Sequence, residues 1–83
     1  MDALDSKYET AEPSACDMFE ELGYKKVDDN DDFITYLHDN LGMIMFGLRF
    51  KDMMALDMNG KFRVLKAKEI IAIYKQIKEL GWK

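Results

Sequence analysis

The sequence predicts an α+β domain: an antiparallel β-meander of four to five short strands, flanked in sequence by an N-terminal and a C-terminal helix that pack on one face. Three observations predict it. Helical apolar spacing at both ends brackets a middle stretch of period-two alternation. The strand-like segments follow one another through short turns, which argues against the alternating βαβ units of a parallel sheet. The chain also writes "ELGY" at Glu21 to Tyr24 and "ELGW" at Glu79 to Trp82, the same terminator after each helical stretch.

The first helix is expected to start between Ala11 and Ala15. Thr10 or Ser14 can cap it: Ser14 has Asp17 in capping-box spacing, and Pro13 is tolerated only in a first turn because it has no N–H to give. Ala11, Ala15, Met18, Phe19 and Leu22 recur along one face, while Asp17, Glu20 and Glu21 fall outside it. With Leu22 as the last helical residue, Gly23 takes the left-handed conformation and Tyr24 folds back onto Phe19, a Schellman-type stop. Gly81 and Trp82 repeat that arrangement against Ile77.

Strands follow. Tyr24 to Val27 is short, "DDNDD" turns the chain, and "FITYLH" is rich in β-branched and aromatic residues. After "DNLG", the segment "MIMFGLRF" places Ile44, Phe46, Leu48 and Phe50 on one face and Met43, Met45, Gly47 and Arg49 on the other. With "KD" as the next turn, Met54, Leu56 and Met58 alternate with Met53, Ala55 and Asp57. Asn59-Gly60 is a strong hairpin signal, and "KFRVL" returns with Phe62 and Val64 inward. From Lys66 the period is helical, with Ile70, Ile73, Tyr74, Ile77 and Leu80 in one stripe and Ile71 at its margin. Both helices are expected to cover the face bearing Ile44, Phe46, Leu48, Phe50, Met54, Leu56, Phe62 and Val64. Residues 1–9 read as a flexible arm and 10–83 as a single domain.

At 83 residues, one modest core is all the chain can build. With 48% apolar residues and 34% charged, it belongs to a folded globule and not to a disordered chain. No apolar run reaches the roughly 18 residues of a membrane span, and the acidic N-terminus is unlike a signal peptide, so the expected location is cytoplasmic. Residues 1–32 carry eleven acids against three lysines, or −8; residues 33–83 carry five acids against nine bases, or +4; together they give the net −4 of the chain. The asymmetry suits attraction between the two halves, or simple solvation, better than recruitment of an anionic partner.

No catalytic constellation stands out. Cys16 is the single cysteine and reads as a small buried thiol; His38 is the single histidine and reads as a strand-end residue. One of each cannot build a His/Cys zinc site within one chain. Asp28, Asn30 and Asp32 match the first three ligand positions of an EF-hand loop, but Phe33 stands where the loop needs Gly, and a strand follows where a helix should. There is no Gly-rich phosphate loop, no G-x-S-x-G and no H-E-x-x-H. The reading is of a non-enzyme with no cofactor, no metal and no small-molecule substrate. Lys61, Arg63, Lys66, Lys68, Lys75 and Lys78 leave nucleic-acid binding as the alternative, disfavoured by the sequence pI of about 4.9.

Methionine is the compositional anomaly, seven of 83 residues. Met18, Met54 and Met58 fall on expected core faces, where a flexible side chain fills gaps. Met43, Met45 and Met53, with Arg49 beside them, fall on the opposite sheet face, joined by Ala55, Leu65 and one alternate set of the second strand, either Phe33 and Leu37 or Ile34 and Tyr36. With both helices on one side, this face is left partly apolar, as an interface for a protein partner or a homodimer would be. The closing "MFEELGYKK" of the first helix, the strand meander and the final "EIIAIYKQIKELGW" resemble small uncharacterised proteins encoded by prophages and related mobile elements of Gram-positive bacteria. That resemblance implies an accessory protein and transfers no activity to any residue. The function expected is therefore protein–protein interaction or self-association through the face of Met43, Met45, Arg49 and Met53, or through an exposed sheet edge.

Overall fold

The structure is a computed structural model that describes residues 13–82. The arm expected over residues 1–9 lies outside the described residues, as do the Thr10 and Ala11 alternatives for the first helix. Helix α1 (Ala15–Glu21) leads into strands β1 (Tyr24–Asp29), β2 (Phe33–His38), β3 (Gly42–Gly47) and β4 (Asp52–Leu56), and helix α2 (Ala67–Glu79) closes the fold. The four strands form one antiparallel sheet in the order β1-β2-β3-β4, so the meander is as expected and the fold is α+β.

Local chemistry sets the ends of these elements. Ser14 caps α1: its hydroxyl accepts the N–H of Asp17 at 3.1 Å, and the Asp17 carboxylate accepts the N–H of Ser14. Glu79 of α2 adds a further acceptor at that end, taking the N–H of Ala15 at 2.8 Å and tying the two helices together. Gly23 has φ +99° and donates to the Glu20 carbonyl, and the Tyr24 ring meets Phe19 edge-on at 5.6 Å. At the other terminator Gly81 has φ +76° and donates to Lys78, while Trp82 donates to Ile77, completing the Schellman pair of bonds. The repeated four-letter motif is thus a repeated helix stop.

Three of the turns have an acceptor side chain of their own. Asn30 Oδ1 takes the N–H groups of Asp32 and Phe33, His38 Nδ1 those of Asn40 and Leu41, and Asp57 Oδ1 those of Asn59 and Lys61. Gly42 is required at its position for two reasons: its φ is +109°, and a Cβ there would overlap the carbonyl oxygen of Leu56.

The core lies between the sheet and the two helices. Phe19 stacks on Tyr36 with ring centroids 4.0 Å apart and meets Phe46 at 6.2 Å; Ile34, Ile44, Ala55, Ala72 and Ile73 complete the buried cluster. Two tyrosine hydroxyls enter this apolar layer, and each needs a partner. Tyr36 donates to Gln76 Oε1 at 2.7 Å. Tyr24 donates to Glu69 Oε2 and accepts from Arg63, both at 2.5 Å, while Arg63 pairs with Glu69 at 3.0 Å. Burial alone pushes the Glu69 carboxyl up, but the Arg63 guanidinium, the Lys66 backbone N–H and the Tyr24 hydroxyl outweigh it and hold it at about 2. Burial first, then the Glu69 carboxylate, pushes the Tyr24 hydroxyl well above its usual range.

These tyrosines correct the expected facing of α2. Its buried residues are Glu69, Ala72, Ile73 and Gln76, with Ile77 and Leu80 partly buried, whereas Ile70, Ile71 and Tyr74 are exposed. Ile73, Ile77 and Leu80 of the expected stripe do face the core; the helix is rotated only far enough to expose Ile70 and Tyr74, because Glu69 and Gln76, seven residues apart on one face, answer the two hydroxyls. The final strand is corrected for the same reason. The segment after β4 makes a single bridge, Phe62 to Leu56, and Arg63 turns inward to Glu69 and Tyr24. Period-two alternation then sends its neighbours outward, so Phe62 is 79% and Val64 89% exposed.

The third correction is the facing of β4. Ile44 pairs with Ala55 and Phe46 with Met53, and residues paired across a ladder share a face. Ala55 and Met53 therefore point to the core, and Met54 and Leu56 point away from it. A connection with an even number of residues always opposes even-numbered to odd-numbered positions, so a two-residue "KD" turn would have required the same facing. The turn is in fact Leu48 to Lys51, which takes Leu48 and Phe50 out of β3.

Candidate functional site

The face of the sheet away from the helices is built by the outward residues of the inner strands and β4. Phe33, Thr35 and Leu37 of β2 stand beside Gly47, Met45 and Met43 of β3, which stand beside Asp52, Met54 and Leu56 of β4. On β1, Lys25 pairs with Leu37 and Asp28 with Thr35, and a bulge between Lys26 and Asp28 pushes Val27 out of register. Phe33, Leu37, Met54 and Val27 are exposed, and Met43, Met45 and Leu56 are half-buried by one another. The centre of the face is apolar and its charges stand along the β1 edge and at the Asp52 corner.

Two shallow hollows lie at opposite ends of this face. One, of about 340 Å³, is lined by Phe33, Gly47, Met54 and the exposed Phe50, with Asp32, Arg49 and Asp52 at its rim. The other, of about 210 Å³, is lined by Leu37, Gly42, Met43, Leu56, Met58 and Gly60, with the charged Asp57 among them. Phe50 is 83% exposed and Met58 60% exposed, so each hollow has a projecting apolar side chain beside it. The turn that carries Phe50 includes Lys51 at φ +57°, a non-glycine residue in the left-handed region.

Of the four residues the sequence pointed to, Met43 and Met45 lie on this face. Met53 does not: its place opposite Phe46 turns it to the core, and Met54 takes its position. Arg49 is in the β3–β4 turn, where its Nε donates to Asp32 at 2.8 Å and braces the two loops at that end. Periodicity alone leaves the facing of Phe33 and Leu37 open and places Leu56 inward; the parity of the turns is the signal that finds Leu56 and Met54.

The remaining candidates serve local structure. Cys16 packs partly against the core and donates to Glu20 at 3.7 Å; burial, then the Glu20 carboxylate, pushes its thiol up and disfavours the thiolate. His38 is held edge-on against Tyr24 at 5.1 Å, and its Nδ1 is occupied by the turn. Asn30, the centre of the EF-hand-like stretch, directs its carbonyl into its own turn, and Asp32 faces Arg49. Among the described residues no group of three or more His, Cys, Asp or Glu side chains could hold a metal ion, and no helix is long and apolar enough to cross a membrane. Comparison of the chain with protein-family models, curated proteins and solved structures gives no match.

Proposed function

We propose that this chain is a non-enzymatic accessory domain of the cytoplasm that acts by binding a protein through the uncovered face of its sheet. One observation carries the reading: among the described residues Phe33, Leu37, Met43, Met45, Met54 and Leu56 form a contiguous apolar surface, and both described helices lie on the other side of the sheet. Methionine suits such a surface, because an unbranched, polarisable side chain can repack against a partner at low cost. The resemblance of the helix ends to mobile-element proteins fits an accessory role of this kind. The face is the candidate surface in preference to the basic residues of the second half, of which Arg63 is engaged inside the fold and the chain as a whole carries a net charge of −4.

A photo-activatable side chain introduced at Met45 or Met54 tests the reading, with Tyr74 on the exposed face of α2 as the control. Cross-links formed at the two sheet positions and not at Tyr74 are the expected result. Equal trapping at all three, or trapping at Tyr74 alone, would remove the sheet face as the site.

A further inference from the structure

We infer that the occupant of the open sheet face is a second copy of the same chain, docked face to face about a two-fold axis that crosses the strands. The inference rests on the reading of that face as an interface and names what fills it. Three features of the face make it complementary to itself.

The first is shape. A two-fold axis across the strands, midway between the Thr35 and Leu37 rows, lays the Phe33 end of one sheet over the Leu37 end of the other. Met58, projecting beyond the Leu37 end, then stands opposite the Phe33, Gly47 and Asp52 row of the other copy and meets its hollow of Phe33, Gly47, Phe50 and Met54. The symmetry makes the same contact twice, as an isologous interface requires. Two protruding methionine side chains gain a seat, and one hollow on each copy is filled.

The second is charge. The same axis brings Lys25 of each copy over Asp28 of the other along the β1 edge, because Lys25 lies in the Leu37 row and Asp28 in the Thr35 row. Opposite charges therefore face each other at the rim while the centre stays apolar, the usual division between an interface core and its edge. A partner of uniformly acidic or basic character would leave one of each pair opposed to its own sign.

The third is size. Four strands span about 19 Å, and the distance from the Phe50 turn to the Met58 turn is roughly 30 Å, so two copies together bury roughly 1,100 Å². That lies at the low end of specific interfaces and fits a reversible dimer. Two sheets packed in this way cross at about −30° because each is twisted.

Sedimentation of the full chain from micromolar to millimolar concentration tests this, with methionine oxidation by peroxide read in parallel. A concentration-dependent dimer is expected, weakened about thirtyfold or more by Phe50→Asp. Lys25→Glu weakens it as well, and Lys25→Glu combined with Asp28→Lys restores it, an outcome that general stickiness would not produce. In the dimer Met43, Met45, Met54 and Met58 oxidise more slowly than at monomer concentrations. A chain that stays monomeric throughout, with these methionines freely oxidised, overturns the second copy as occupant and leaves the face open for another protein. A dimer in which they oxidise at the monomer rate overturns the interface itself, because the copies then meet elsewhere.

Discussion

The two faces of the sheet carry similar amounts of apolar side chain and differ in how polar groups are treated. On the helix-covered face every buried hydroxyl is answered: Tyr36 by Gln76, and Tyr24 by Glu69 with Arg63. On the open face Thr35 is 1% exposed, yet its hydroxyl has no partner among the described residues. The covered face specifies one packing through directional bonds. The open face is held by adaptable methionines and has one polar atom buried beneath them. Arg63 Nε on the covered side is also without a partner among the described residues, so the contrast between the faces lies in their hydroxyls, answered in the core and unanswered at Thr35.

The largest expected effect belongs to the covered face. Phe19 touches Tyr24, Tyr36 and Phe46, so Phe19→Ala leaves a cavity at the meeting point of α1 and the sheet. A loss of about 3–5 kcal/mol in chemical denaturation is expected. If the loss is under about 1 kcal/mol, the covered face is not the stabilising core.

Glu69→Gln comes next. It keeps the shape and leaves the Arg63 guanidinium, only 11% exposed, without its counter-charge, for an expected loss of about 3 kcal/mol. The same pair predicts acid sensitivity. Glu69 is held at about 2 in the folded protein and returns toward the ordinary glutamate value of 4.5 when unfolded. Its contribution is therefore present above about pH 4.5 and lost as pH falls from about 4.5 to about 2, because the unfolded chain takes up the proton first. Stability against pH measured for the native chain and for Glu69→Gln should differ most above that window and converge within it. Parallel curves would show that the carboxylate is not the acid-sensitive group.

Smaller effects sharpen the contrast. Tyr36→Phe leaves Gln76 buried without its donor and should cost about 1–2 kcal/mol. On the open face Thr35→Val should do the reverse and stabilise by about 1 kcal/mol, because it removes a buried hydroxyl that has no hydrogen bond. Met45→Lys, where the side chain can extend into water, should change monomer stability by less than about 0.5 kcal/mol. Destabilisation by Met45→Lys comparable to that of Phe19→Ala would mean the face is part of the monomer core.

Much of the fold is legible in the sequence, and particular residues show where legibility ends. The Ser14 cap, the Gly23 and Gly81 stops, the Asn59-Gly60 turn and the order of the meander all follow from residues a few positions apart. Within the candidate site, Met43 and Met45 were found by alternation along one strand. Met53 was misplaced, and Met54 and Leu56 with it, because alternation gives two faces without saying which one pairs with the core of the neighbouring strand. Register across the β3–β4 turn decides that, and it is a relation between strands.

Both helices, their stops and the order of the meander are written in nearby residues, because capping, glycine at positive φ and turn acceptors act over one to four residues. The end of β3, the single bridge that replaces a fifth strand, and the facing of α2 and β4 come from contacts between elements. Apolar periodicity would bury Ile70, Phe62 and Val64; instead Glu69, Gln76 and Arg63 turn inward, since leaving the Tyr24 and Tyr36 hydroxyls unpaired in the core costs more than exposing those side chains.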